Sequence, residues 1–160
     1  MLTDSYKRQI TNIRISLTQR CNLNCIYCHK EGHTGESDRE LSPIEIERVM
    51  RVAASLGVNR VKLTGGEPTL REDLIEIVEG IASIPSIEEI SMTTNGILLE
   101  NLASRLKEAG LSRVNVTIDS LINSVYSRIT GHDSLDSALR GMKSAVSAGL
   151  TPAKINFVVL

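Results

Sequence analysis

The chain has 160 residues, 41% hydrophobic and 23% charged, and eighteen basic against nineteen acidic side chains leave a formal net charge of -1. One domain, or a large piece of one, is expected, and disorder, collagen and coiled coil are poor readings of this composition. The charge balance speaks against a nucleic-acid binder or an electrostatic membrane adhesion device, and no apolar run approaches the roughly 20 residues that span a bilayer.

The N-terminal MLTDSYKRQITN lacks the apolar stretch of a signal peptide. Residues 12–17 (NIRISL) alternate and are rich in branched side chains, which predicts a first strand. Ser42, Pro43 and Glu45 form a helix start, and that helix runs to about Ser55 before Gly57. A short strand is expected over Arg60 to Thr64, a helix over Glu72 to Ile81 and a strand over Glu89 to Thr94. Next come a helix from Leu98 to Ala109 stopped by Gly110, and a strand from Arg113 to Ile118. A short helix near Ile122 to Arg128, a longer one from Ser134 to Ala148 before Gly149, and a last strand from Ala153 to Leu160 complete the pattern.

Strands separated by helices point to parallel βαβ units, either part of a TIM-type barrel or a doubly wound sheet. The chain stops inside a strand pattern, which leaves a parallel sheet with an exposed edge. The domain is therefore expected to continue in the natural protein, or the chain to be a fragment.

Cys21, Cys25 and Cys28 are the three cysteines, and none follows Cys28. An odd, clustered set does not make a secreted disulfide framework, so a reducing cytoplasm is expected. The spacing is C-x3-C-x2-C, in the loop after the first strand, which in a βα barrel opens onto the face where active sites sit. Three thiolates suit a soft metal centre, and a four-iron cluster held by three cysteines leaves one iron open to a small molecule. Two other readings stay open on the residues alone. One is a structural zinc with His29 or His33 as fourth ligand. The other is an electron-transfer cluster with its fourth ligand elsewhere.

The cysteine spacing with Tyr27 just before the third cysteine, joined to Gly65-Gly66-Glu67-Pro68 after the second strand, resembles the radical SAM superfamily. Five stretches in order are similar to the N-terminal half of the GTP 3′,8-cyclase (MoaA) family of molybdenum cofactor biosynthesis. They are IRISLTQRCNLNCIYCHKEG, VKLTGGEPTLREDL, SMTTNGILL, VNVTIDSL and AKINFVVL.

That resemblance implies a partial TIM-type (βα) barrel, truncated after about five strands, and a radical SAM lyase. It implies a [4Fe-4S] cluster on Cys21, Cys25 and Cys28, whose open iron takes S-adenosylmethionine. One electron then yields methionine and a 5′-deoxyadenosyl radical. In the family this radical takes a hydrogen from the GTP ribose and starts conversion to (8S)-3′,8-cyclo-7,8-dihydroguanosine 5′-triphosphate. The cofactor does the difficult chemistry and no side chain is assigned as catalytic. Tyr27, Gly65, Gly66, Glu67 and Thr117 are the implied S-adenosylmethionine contacts, although the family more often has Ser at position 117. Arg14, Lys62, Thr93 and Lys154 are the implied GTP contacts, and many relatives carry Arg at position 62. Lys there keeps the charge but loses bidentate geometry.

An electron donor of reductase or ferredoxin/flavodoxin type is the implied partner. No nucleic acid or membrane is expected, and the oligomeric state is left open, a homodimer included. The family's second, C-terminal cluster has no counterpart here, so residues 1–160 form a radical SAM core that is expected not to complete the cyclisation alone. A peptide-modifying relative of sulfatase-maturase type would share both motifs without a triphosphate site, and a zinc or redox-sensing module would lack catalysis. His29, His33 and His132 are read as surface loop histidines. Asp119 divides between the cofactor's surroundings and a helix N-cap.

Overall fold

The structure is a computed structural model that describes residues 2–28 and 39–159. Five parallel strands alternate with helices in sequential order: β1 (Asn12–Ser16), β2 (Arg60–Thr64), β3 (Glu89–Thr94), β4 (Arg113–Thr117) and β5 (Lys154–Asn156). A doubly wound sheet would reverse its strand order at a switch point. The unbroken order here is that of a βα-barrel wall left open, with β1 and β5 at its edges.

Residues of alternating parity divide the sheet into two unlike faces. Ile13 and Ile15, Val61 and Leu63, Ile90 and Met92, and Val114 and Val116 share one face and belong to the core. The helices α1 (Pro43–Ser55), α2 (Leu74–Ala82), α3 (Leu99–Glu108), α4 (Asn123–Thr130) and α5 (Leu135–Ser147) supply the other half of that core. Ile46 and Met50 come from α1, Ile77 and Ile81 from α2, Leu99 and Leu106 from α3, and Ala138 and Ala145 from α5. Each large apolar side chain so buried contributes about 1.5–3 kcal/mol. With the helices on this face, the opposite face carries Arg14, Lys62, Thr93, Asn115 and Lys154. The strand register sets Arg14 beside Lys62, Thr93 beside Asn115 and Asn115 beside Lys154.

Local signals account for most element boundaries. The backbone N–H of Ser42 donates to Oε2 of Glu45 at 2.9 Å, closing the predicted start of α1. The second helix begins at Leu74, two residues later than expected, because residues 68–73 are used otherwise. Pro68–Leu70 is one 3-10 turn, and the guanidinium of Arg71 grips the Asp73 carboxylate with Nε at 2.8 Å and Nη2 at 2.6 Å. The last strand is shorter than expected. It has a hydrogen-bonded neighbour on one side, β4, and after Asn156 the Val158 N–H leaves the ladder to donate to Oδ1 of Asp119 at 3.0 Å. Leu160, its expected end, lies outside the described residues.

Candidate functional site

The cysteine loop is bound to the sheet by backbone. Beyond the end of β1, the Leu17 N–H donates to the Thr64 carbonyl at 2.8 Å. The Gly66 N–H donates to Thr18 O at 2.7 Å and the Glu67 N–H to Arg20 O at 2.8 Å. These bonds carry the parallel ladder past β1 and β2 into the two motif loops. They explain the glycine pair. A Cβ on Gly66 would lie 2.2 Å from the Arg20 carbonyl, and one on Gly65 would lie 2.4 Å from the Thr18 carbonyl. Gly65 also has φ +140, a conformation that side chains disfavour. The closeness that requires glycine is thus to the neighbouring loop's own backbone.

Glu67 is 1% exposed and accepts four hydrogen bonds. Its Oε1 takes Thr69 N at 3.0 Å, Thr69 Oγ1 at 2.5 Å and Thr94 Oγ1 at 2.7 Å, and its Oε2 takes Asn95 N at 2.7 Å. The carboxylate ties the glycine turn to the end of β3. Asn95 extends the tie by donating from Nδ2 to Oδ1 of Asn22, inside the cysteine loop, at 2.7 Å. The far side of that loop is fixed by Asn24 N and Ile26 N, which donate to the carbonyls of Thr130 and Ile129 at the end of α4, each at 2.9 Å.

The thiols of Cys21, Cys25 and Cys28 share the wall of one cavity of about 720 Å³ with Arg20, Asn22, Gly65, Gly66 and His132. It opens at the C-terminal ends of β1 and β2, where functional loops of βα barrels gather. Cys21 and Cys28 are exposed and Cys25 is partly buried, and none is in a disulfide. Burial pushes the Cys21 and Cys25 thiols up. The charges of Glu67 beside Cys21 and of Asp119 beside Cys25, and the proximity of the thiols to one another, push them further. A cationic centre among them would reverse that penalty. Among the described residues no three His, Cys, Asp or Glu side chains form a group that could hold a single metal ion. His29 and His33, the alternative fourth ligands, lie outside the described residues.

Tyr27 and Thr117 lie outside this cavity's lining. The Tyr27 hydroxyl donates to Oδ2 of Asp119 at 2.8 Å, and burial and that bond raise its pKa. Thr117 ends β4 and pairs in register with Asn156. Asp119 does not cap a helix, since Ile122 is the N-cap of α4. It is buried and serves as acceptor for Tyr27 and Val158.

The cations expected on the strands do come to one face. Burial, followed by the nearby charges of Arg14, Arg113 and Lys154, pulls the Lys62 pKa down. Arg14, Lys62 and Arg113 line a second cavity of about 280 Å³ at the N-terminal ends of the strands, with Arg60, Glu89 and Ser91. Thr93 lies farther along the same face, and its Oγ1 is buried without a hydrogen-bond partner among the described residues. Sequence reasoning missed Arg113 and Arg71. Arg113 carried a signal of the kind that flagged Arg14, a cation inside an apolar strand. Arg71 sits in a loop and gave none.

Proteins named "Probable GTP 3',8-cyclase" are similar to the whole chain. That of Thermococcus kodakarensis is 52% identical over 160 residues, covering 100% of this chain and 51% of that protein. That of Archaeoglobus fulgidus is 50% identical over 160 residues, covering 100% and 53%. The chain thus spans about half the length of these curated relatives. Among solved structures, SuiB of Streptococcus suis bound to S-adenosylmethionine superposes with a TM-score of 0.77 at 21% identity, over 92% of this chain and 33% of that one. Methylornithine synthase superposes at 0.73 and 17% identity, over 91% and 44%. Both likenesses concern the fold. The model for the radical SAM superfamily matches residues 15–160, a span that holds the cysteine loop, the glycine turn and all but the first three residues of the sheet, and the chain belongs to that superfamily.

Proposed function

We propose that this chain is the N-terminal portion of a GTP 3′,8-cyclase of molybdenum cofactor biosynthesis, a radical SAM lyase. The observation that carries the reading is the pairing of two sites on one sheet: the three-thiol cavity at the C-terminal strand ends, and a face of cations below it. The relatives that share 98% or more of the chain at 45% to 52% identity carry the cyclase name.

The donor set fits a [4Fe-4S] cluster. Cys21, Cys25 and Cys28 line a common space in which burial disfavours ionisation of Cys21 and Cys25 without a cation, and a multi-iron cluster takes thiolates around its periphery instead of at one point. With S-adenosylmethionine such a cluster supplies a 5′-deoxyadenosyl radical. The chain's own residues then hold and orient. Gly65 and Gly66 line the cavity beside the thiols and meet the cofactor there, and Glu67, outside that lining, fixes their turn. Tyr27 and Thr117 border the cofactor. Arg14, Lys62 and Lys154 meet the GTP phosphates, and the hydroxyl of Thr93, without a partner among the described residues, meets the nucleotide between the two ends.

The radical SAM core spans residues 1–160 and draws its electron from a reductase or a ferredoxin or flavodoxin. The reducing cytoplasm is the compartment that suits these three free thiols. Among the described residues no helix is long and apolar enough to cross a membrane.

Anaerobic reconstitution with iron and sulfide tests the cluster. A brown protein with about four irons per chain, whose electron paramagnetic resonance signal shifts on adding S-adenosylmethionine, is expected. A colourless chain that keeps zinc after the same treatment overturns it. Loss of GTP binding in Arg14→Ala and Lys154→Ala separates the cyclase from a peptide-modifying relative.

A further inference from the structure

The polar face holds more positive charge than the four expected GTP contacts supply. Arg14, Lys62, Ser91 and Arg113 lie in one row across four strands, each beside the next in the register. Arg60 lies two residues before Lys62 on the same face, and Lys154 pairs with Asn115, two residues past Arg113. Adjacent strands are about 4.8 Å apart, so long side chains from this row reach a common point above the sheet.

Among the described residues one carboxylate, Glu89, lines this cavity with Arg14, Arg60, Lys62 and Arg113, and the charges of Arg113, Arg60 and Lys154 act on it. Glu89 accepts from Nη2 of Arg113 at 2.8 Å, and its pKa is lowered first by that bond and then by the charges of Arg113, Arg60 and Lys154. Arg14, Arg60, Lys62 and Lys154 have no acidic partner among the described residues. A partly buried lysine facing the unpaired Arg14 and Lys154, with Arg113 balanced by Glu89 alone, is an arrangement that stability by itself does not favour. An anion with several negative oxygens relieves it.

We propose that Arg113 is a phosphate-binding residue of this face, held ready by Glu89 and acting with Arg14, Lys62 and Lys154 on a polyphosphate chain. The inference rests on the GTP reading and adds a binding residue to it. Arg113 is suited to the task. Its guanidinium is planar and bidentate, and Glu89 uses Nη2 while Nη1 reaches Oδ1 of Asn115 only at 3.5 Å. The contact to Asn115 is at the limit of a hydrogen bond, so Nη1 can turn to a phosphate oxygen at little cost.

Binding of inorganic tripolyphosphate, GTP and guanosine to the 160-residue chain, measured by calorimetry at low salt, tests this. Arg113→Ala is expected to weaken tripolyphosphate and GTP about tenfold to hundredfold, the range of one charge-assisted hydrogen bond, and to leave guanosine unchanged. Arg113→Lys should recover part of the loss. Glu89→Gln, which frees the guanidinium and removes the negative charge that pairs with it, should tighten tripolyphosphate binding. This second variant keeps the test open should Arg113→Ala unfold, which circular dichroism would report. Wild-type affinity in Arg113→Ala, or weaker binding in Glu89→Gln, overturns the role of Arg113. If Arg14→Ala and Lys154→Ala weaken GTP while Arg113→Ala does not, the inference fails and the GTP reading stands. If none of the three cation removals weakens GTP, or the wild-type chain does not bind tripolyphosphate, both fail.

Discussion

The hydroxyl of Tyr27 donates to Oδ2 of Asp119 at 2.8 Å, across 92 positions of sequence. Oδ1 of the same carboxylate accepts from the Val158 N–H at 3.0 Å. One buried side chain thus fastens the cysteine loop of the first βα unit to the segment that follows the last strand. Its removal strands two donors. Asp119→Ala is expected to cost about 1–3 kcal/mol in urea unfolding, and Tyr27→Phe, which removes one bond, about 1 kcal/mol. If Asp119→Ala costs no more than Tyr27→Phe, the Val158 arm of the clamp contributes nothing.

The glycine turn makes a sharper prediction. Ala at position 66 puts a methyl 2.2 Å from the Arg20 carbonyl, so the cysteine loop has to move. Overpacking of this kind costs about 1–3 kcal/mol. Gly66→Ala should melt earlier and take up less iron on reconstitution than the wild-type chain. Full iron uptake at wild-type stability would show that the loop yields without consequence.

The cysteines behave differently. Cys21 and Cys28 are exposed, and Cys21 Sγ accepts weakly from neighbouring backbone, from Leu23 N at 3.5 Å. Cys21→Ala and Cys28→Ala should stay within about 0.5 kcal/mol of the wild-type stability, as surface changes do. Each should lose reconstituted iron. A cysteine variant that retains a full complement of iron would remove that thiol from the donor set.

Arg71 is the buried strut of the motif region, with its side chain 4% exposed. Besides the Asp73 carboxylate, it donates from Nη1 to Leu17 O at 3.0 Å and from Nη2 to Leu41 O at 2.9 Å. Arg71→Ala is expected to destabilise by about 3 kcal/mol, the lower end for breaking a buried pair because Asp73 keeps contact with solvent. Chemical denaturation gives the value directly, and a loss under about 1 kcal/mol contradicts the strut.

The same pair sets a pH dependence. The Arg71 guanidinium holds the Asp73 carboxyl below its ordinary value of 3.8. A carboxylate with a depressed pKa stabilises the fold fully above its unfolded pKa and loses that contribution as pH falls through the folded one. The stability gap between the wild-type chain and Asp73→Asn should therefore be constant from pH 7 to about 5 and shrink below about 4. A gap that widens in acid has the wrong sign for this account.

The two motifs, the strand–helix alternation and the odd cysteine count were legible because each is local. A C-x3-C-x2-C spacing, a Gly-Gly after a strand, and Ser-Pro before an apolar period are written in neighbouring residues. Arg14, Lys62 and Lys154 could be read as cations on strands, but that they meet on one face follows from the register of four separate strand pairs. Asp119 sat too evenly between two local readings to be decided by either; the structure excludes the N-cap and gives it partners 92 and 39 positions away. Sequence by itself determined which elements form and which residue types gather in which loops, since propensity, capping and periodicity act within a few residues. Tertiary structure alone decided the sequential strand order, the partners of Glu67, Arg71 and Asp119, and the row that places Arg113 beside the other cations. Those outcomes depend on pairings between distant segments, which no short window of the chain contains.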